Sequence, residues 1–291
     1  DGIGVVTRLR DLSCENVKDF GIRNLDVGRM EIEGCTFRNN RDGGIFGVLG
    51  DGGIIRDCDF VELNHDNGST GILLYEPCVD VLVEDCRFTD CSEGLSGNWS
   101  GCEDFTVLGC TFIGGRTGVS VKTGASGAIL QSSFSGQYRF GIVGNSPGTV
   151  RIEGNVIDET GSEGSCICVW AAPGEYILRD NILSNDTTIV LLAVPNVGWD
   201  CRDNHFLRTG PEAWYSQPMN LVYGGEPLEL DFSENYWGTT DPEEVAAWIF
   251  DGNDDPAYHY VIDFLPMADV VAVESRTWSG VKGLFRGGDG K

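Results

Sequence analysis

A six-residue motif recurs nine times along the chain: an apolar residue, two variable positions, a small Cys, Ser or Asn, one variable position, then an aromatic or aliphatic residue. It runs Ile32-x-x-Cys35-x-Phe37, Ile55-x-x-Cys58-x-Phe60, Val83-x-x-Cys86-x-Phe88, Val107-x-x-Cys110-x-Phe112 and Ile129-x-x-Ser132-x-Phe134. Ile152-x-x-Asn155-x-Ile157, Leu178-x-x-Asn181-x-Leu183, Cys201-x-x-Asn204-x-Phe206 and Phe232-x-x-Asn235-x-Trp237 continue it, and Leu12-x-x-Glu15-x-Val17 reads as a degenerate first copy. The middle residues lie 22 to 31 positions apart. That period is too short for a propeller blade and fits one turn of a solenoid, and the β-rich units with turn residues between them exclude helical repeats. A second landmark follows each of the early motifs, a Gly and then an apolar residue: Gly21-Ile22, Gly44-Ile45, Gly71-Ile72, Gly94-Leu95, Gly118-Val119 and Gly141-Ile142. Together the landmarks predict three short strands per coil, one entering the Cys/Asn turn, one leaving it and one starting at the Gly.

Over residues 5–237 this pattern resembles the pectate-lyase-like superfamily of right-handed parallel β-helices, especially its NosD-like repeat proteins. The resemblance implies an all-β fold, a three-sheet right-handed parallel β-helix of about nine or ten coils over residues 1–237. It also implies a stack of like side chains at one sharp turn, here changing from Cys through Ser132 to Asn. A small side chain suits a tight bend, and Asn can bond the backbone of its own turn and of the next coil. The ladder cysteines therefore read as buried thiols. Side chains stacked in parallel at the ~4.8 Å strand spacing do not converge on a soft metal. Cys78 and Cys102 each precede a ladder Cys by eight residues, so they fall in register on adjacent coils, as a disulfide or as two stacked thiols.

After Trp237 the repeat stops, and residues 238–291 read as a C-terminal cap and tail. Asp241-Pro242-Glu243-Glu244 is a helix start, with Asp at the N-cap and Pro at the first helical position. A last strand is expected from His259 to Leu265. A solenoid end exposes core and strand edges and needs such a cover. The cap resembles the ends of secreted bacterial β-helix proteins of uncharacterised function. The N-terminal end shows no matching cap, so either the first coil is trimmed or that end stacks on something, as in self-association through the solenoid ends. The segment 274–291, with Trp278, Val281, Leu284 and Phe285 at helical spacing, is a candidate either to pack back on the body or to contact a neighbour.

The net charge is −25, from 45 acidic and 20 basic residues. Such a surface repels nucleic-acid phosphates and anionic membranes, and no apolar run is long enough to span a bilayer. The chain opens at Asp1-Gly2-Ile3-Gly4 without a signal-peptide pattern, read here as a processed chain of secreted or cell-surface location. Calcium is the candidate cofactor: Asp251, Asn253 and Asp255 have the oxygen spacing of a calcium loop but lack its Gly at position six and its Glu at twelve. The alternative is an acidic turn after a helix.

Enzymes that share the resemblance work on polysaccharides, in a groove on the outer face of one sheet. Placing that sheet at the Gly strands gives an outward column of Leu25, Val48, Tyr75, Asn98, Lys122, Asn145, Val169 and Leu192. Its neighbour reads Arg23, Phe46, Leu73, Ser96, Ser120, Val143, Ile167 and Val190. The polar stretch in the middle marks a candidate glycan site. Lys122 is the candidate base, Tyr75 the acid, and Arg116 and Arg139 the groups that would neutralise a uronate carboxylate. Asn98 and Asn145 could bond a glycan, Trp99 and Trp170 could stack on sugar rings, and His65 beside Asp66 could wall the groove. No lyase motif is matched, and the paired aspartates of polygalacturonase-type hydrolases are absent from these strands. Two functions therefore stand at this stage. One is a carbohydrate-binding protein with lyase-like chemistry. The other is a non-catalytic adhesin or stacked fibre subunit.

Overall fold

Each coil must reverse direction just before its ladder residue, and there the backbone is left-handed in all ten copies. Asp11, Gly34, Asp57, Asp85, Gly109, Gln131, Gly154, Asp180, Asp203 and Glu234 have φ between 50° and 67°. Asp and Gly dominate because they tolerate that region best. The computed structural model of the chain describes residues 6–25, 28–47, 49–63, 68–75, 78–97, 102–122, 124–158, 164–170, 174–193, 198–211, 213–218, 228–258 and 260–268.

Among these, three parallel sheets of nine strands stack into nine coils. The first sheet holds the strands entering the ladder turn, such as Arg29–Glu33; the second those leaving it, such as Thr36–Arg38; the third those at the Gly landmark, such as Gly43–Gly47. A partial tenth coil follows, with Tyr236 bridging His205 and Ile249 bridging Ser216.

The ladder is a hydrogen-bonded column in its Asn half. The N–H groups of Ser132, Asn155, Asn181 and Asn204 donate to the Oδ1 atoms of Asn155, Asn181, Asn204 and Asn235 at 2.9, 3.0, 3.1 and 2.8 Å. Each Asn Nδ2 reaches back to a carbonyl of the preceding coil, as Asn181 does to Ile152 at 2.7 Å. In the Cys half the thiols donate weakly to carbonyls, Cys58 to Arg56 at 3.2 Å. Two residues after the ladder, Phe37, Phe60, Phe88, Phe112 and Phe134 stack with centroids 4.5 to 5.0 Å apart.

The Phe stack explains the Gly landmark. A Cβ on Gly118 would lie 2.5 Å from the Phe134 ring and 2.6 Å from the Gly141 carbonyl oxygen, and Gly44, Gly71 and Gly94 are equally confined. Gly118→Ala is therefore expected to destabilise the fold by about 1–3 kcal/mol through overpacking, read as a lower urea midpoint.

The first coil differs from expectation. Register pairs Leu9 with Ile32 and Cys14 with Phe37, so its copy is Leu9-x-x-Leu12-x-Cys14, three residues earlier than the sequence suggests. The apolar pattern misled because Leu12 and Val17 are exposed and contribute nothing to the core. All cysteines are free thiols, Cys78 and Cys102 among them, in register on a two-stranded pairing.

The cap helix is Pro242–Ala246, with Asp241 accepting from the Glu243 N–H at 2.9 Å. The last strand, Tyr260–Asp263, pairs with Leu228–Asp231. His259 lies outside the described residues. Val245, Ile249, Tyr260 and Ile262 join the same core as the coils, so the cap and the coils share one interior.

Candidate functional site

In a parallel strand, side chains alternate between core and outer face. On the third sheet Leu95, Val119 and Ile142 face the core, so Ser96, Ser120 and Val143 form an outer column by direct register. Gly94 and Leu95 both face inward, which breaks the alternation and lets Glu93, Thr117 and Phe140 form a second column that lines the same cleft. Lys122 pairs with Asn145 further along. Just upstream, Ser92, Arg116 and Arg139 stack at equivalent turn positions. The Thr117 N–H donates to Ser92 O at 3.1 Å, and the Phe140 N–H to Arg116 O at 3.1 Å. The next coil comes close at Gly164, where a Cβ would meet the Arg139 carbonyl oxygen at 1.2 Å.

These residues enclose a cleft of about 210 Å³ lined by Ser92, Glu93, Arg116, Ser120, Lys122 and Arg139, with Phe140 and Val143 at one end. Three of the four proposed chemical groups, Lys122, Arg116 and Arg139, thus meet in one place. Tyr75 does not join them: it lies two coils from Lys122 in the same column, ~10 Å away at the strand spacing, with its ring 5.4 Å from Phe46. Asn145 neighbours Lys122 in register without lining the cleft. His65, Asp66, Asn98 and Trp99 lie outside the described residues. Trp170 ends the strand Ser165–Trp170, and its side chain is outside the description too.

Beyond Asn145 the expected outward columns slip by one residue. Val143 pairs with Cys168 and Gly144 with Val169, so Ile167, Val169 and Val190 face the core, and Leu192 shares the column of Val169. Coil seven has no Gly-apolar landmark to count from, because Cys166 takes the position of Gly141, and a slip of one residue exchanges the two faces of a strand.

Glu93 was missed because the strand was counted from Gly94. It is central to the site: Lys122 Nζ lies 2.6 Å from Glu93 Oε1, with the two side chains 32% and 20% exposed. The cleft is also unusual in its charge. Of the fourteen arginines among the described residues, ten pair with carboxylates. Arg208 donates to backbone carbonyls of Pro211 and Ala213. Arg87, Arg116 and Arg139 have no carboxylate partner among the described residues, and the last two share the cleft. Among the described lining residues, three cations against one carboxylate give a formal +2, in a chain of net −25.

A family model described as a right handed beta helix region matches residues 5–98. The chain is a right-handed parallel β-helix. No curated protein and no solved structure matches it.

Elsewhere on the β-helix, the calcium candidate is engaged internally. Asp251 is buried; its Oδ1 accepts from the Asn253 N–H and its Oδ2 from the Ile262 N–H, both at 2.8 Å. Asp255 accepts from the Ala257 N–H at 3.0 Å. Among the described residues no three His, Cys, Asp or Glu side chains gather as a metal-binding group.

The ion pair between Lys122 and Glu93 makes a directional prediction. A partly exposed pair of this kind is worth about 0–1 kcal/mol, so little stability depends on it. Glu93→Gln should release Lys122, raise the described lining to a formal +3 and strengthen its attraction for anions several-fold, measured by titration calorimetry with polygalacturonate at low salt. Weaker binding in the variant would mean that Glu93 itself contacts the ligand.

Proposed function

We propose that this β-helix engages an anionic extracellular polysaccharide, of the uronate class, in the third-sheet cleft. The observation that carries the reading is the pair of guanidiniums, Arg116 and Arg139, without carboxylate partners among the described residues of a strongly acidic chain. Planar guanidiniums bind carboxylates through two parallel hydrogen bonds, and such charge-assisted bonds are the strong ones. Ser120 and Thr117 add hydroxyls for sugar oxygens. A secreted or cell-surface location accords with such a ligand.

Lyase chemistry is the finer form of the proposal. A base would take the proton at C5, the bond from C4 to the glycosidic oxygen would break, and that oxygen would leave with a proton. Arg116 and Arg139 would hold the carboxylate as charge builds on it. Lys122 and Glu93 form the proton-carrying pair in the cleft, and Tyr75 lies too far off to protonate the leaving group there. The test is titration of the protein with polygalacturonate at rising sodium chloride, with ultraviolet absorbance followed for unsaturated uronate. Binding that fades with salt supports engagement, a rise in absorbance adds elimination, and no binding at low salt refutes both.

A second reading, a structural subunit that self-associates, is favoured by one observation. Val6, Leu12, Val17 and Leu25 are exposed large apolar residues gathered on the first described coil. Sedimentation across a concentration series tests it, with growth of oligomers as the supporting result.

A further inference from the structure

The outer columns change character within the cleft. From coil five to coil six, Thr117 gives way to Phe140 and Ser120 gives way to Val143. Phe140, Val143 and Cys168 form a buried apolar cluster of their own, separate from the solenoid interior. Burial pushes the Cys168 thiol up to about 12, so it stays neutral and acts as packing. The Arg139 guanidinium lies 5.0 Å from the Phe140 ring centroid, which holds the cation at the boundary between the polar and apolar parts. One small cleft thus sets an apolar wall directly beside its cations and hydroxyls.

A bare uronate chain can lay only the C–H face of a ring on such a wall, and any hydroxyl turned toward Phe140 and Val143 lacks a partner there and is penalised. From this geometry, and resting on the cleft reading above, we infer that the preferred ligand is an acidic glycan with a methyl-bearing substituent beside its carboxylate. An O-acetyl group or the methyl of a 6-deoxy sugar supplies that chemistry. The carboxylate sits on Arg116 and Arg139, and the methyl packs on Phe140 and Val143. Phe140 and Val143 are then the residues that set specificity. Burying one methyl group is worth about 0.8 kcal/mol, which corresponds to a preference of roughly fourfold.

The experiment compares three polymers of matched length on the full chain by titration calorimetry: polygalacturonate, the same polymer O-acetylated, and a backbone alternating rhamnose with galacturonate. At least one substituted polymer is expected to bind about fourfold more tightly than the plain one, and which one does so identifies the source of the methyl. In Val143→Thr, which keeps the shape and adds a hydroxyl, the ratio of substituted to plain affinity should fall to about one. Equal affinity for all three polymers in the parent protein, or an unchanged ratio in Val143→Thr, overturns the inference while leaving the cleft reading in place. Binding of none of the three overturns both. The comparison within the parent protein stands even if the variant fails to fold.

Discussion

Replacing Arg116 and Arg139 together with Gln is expected to weaken binding of polygalacturonate by about a hundredfold. A hydrogen bond to a charged partner contributes roughly 1.5–3 kcal/mol, and each 1.4 kcal/mol is a factor of ten. Each single variant should therefore lose about tenfold, and the pair the product if the two guanidiniums act independently. They stack one coil apart, so one carboxylate can bridge both, and a double loss smaller than the product would reveal that sharing. The fold should survive, because Arg116 is exposed, Arg139 is half-buried and neither is tied into an ion pair among the described residues. The double variant should also lose most of the salt dependence of binding, since two of the cations responsible are gone. Unchanged affinity in a folded double variant would remove the cleft from consideration and leave the acidic surface without a glycan site.

The solenoid was legible in the sequence because its two landmarks are steric necessities. From the second coil on, the ladder turn holds only a small side chain after a left-handed residue, and the Gly strand admits no Cβ beside the Phe stack. Both constraints repeat every coil, so the period survives even where Cys gives way to Asn. Legibility ended where the constraint ended. At coil seven Cys166 replaces the Gly, the face of the strand can no longer be counted, and Ile167 and Val169 were assigned outward although they are fully buried. Leu12 and Val17 imitated a motif in the first coil because an exposed apolar residue looks the same in sequence as a buried one. Within the site, Lys122, Arg116 and Arg139 were readable as rare cations at mid-helix. Glu93 was not, because one more carboxylate among 45 acidic residues carries no signal until register sets it one coil from Lys122. The apolar wall was hidden for the same reason: Phe140 becomes part of the cleft only through its pairing with Thr117.

The largest expected effect on stability lies in the ladder rather than the core. Asn204 is fully buried, and its Nδ2 donates to Leu178 O at 2.8 Å, Arg202 O at 3.0 Å and Asn235 Oδ1 at 3.0 Å. Its Oδ1 accepts from the backbone N–H of Asn181 at 3.1 Å and from Asn181 Nδ2 at 2.9 Å. Asn204→Ala removes both ends of this relay and leaves a buried N–H and buried carbonyls unpaired in the coils on either side. At roughly 1–3 kcal/mol for each unsatisfied group, the loss should be about 3–6 kcal/mol. Cys86 holds the same position in the Cys half, but its thiol makes only long contacts, 3.3 Å to Glu84 O and 3.8 Å to Ile55 O. Cys86→Ala should therefore cost about 1–2 kcal/mol, chiefly through lost packing. Asn204→Ser should recover part of the larger loss, because Ser132 already shows that a hydroxyl can take the N–H of the preceding coil, that of Cys110, at 3.1 Å. Urea denaturation of the three variants ranks them directly. A midpoint for Asn204→Ala no lower than that for Cys86→Ala would show that the Asn ladder follows from the sharp turn without holding the coils together.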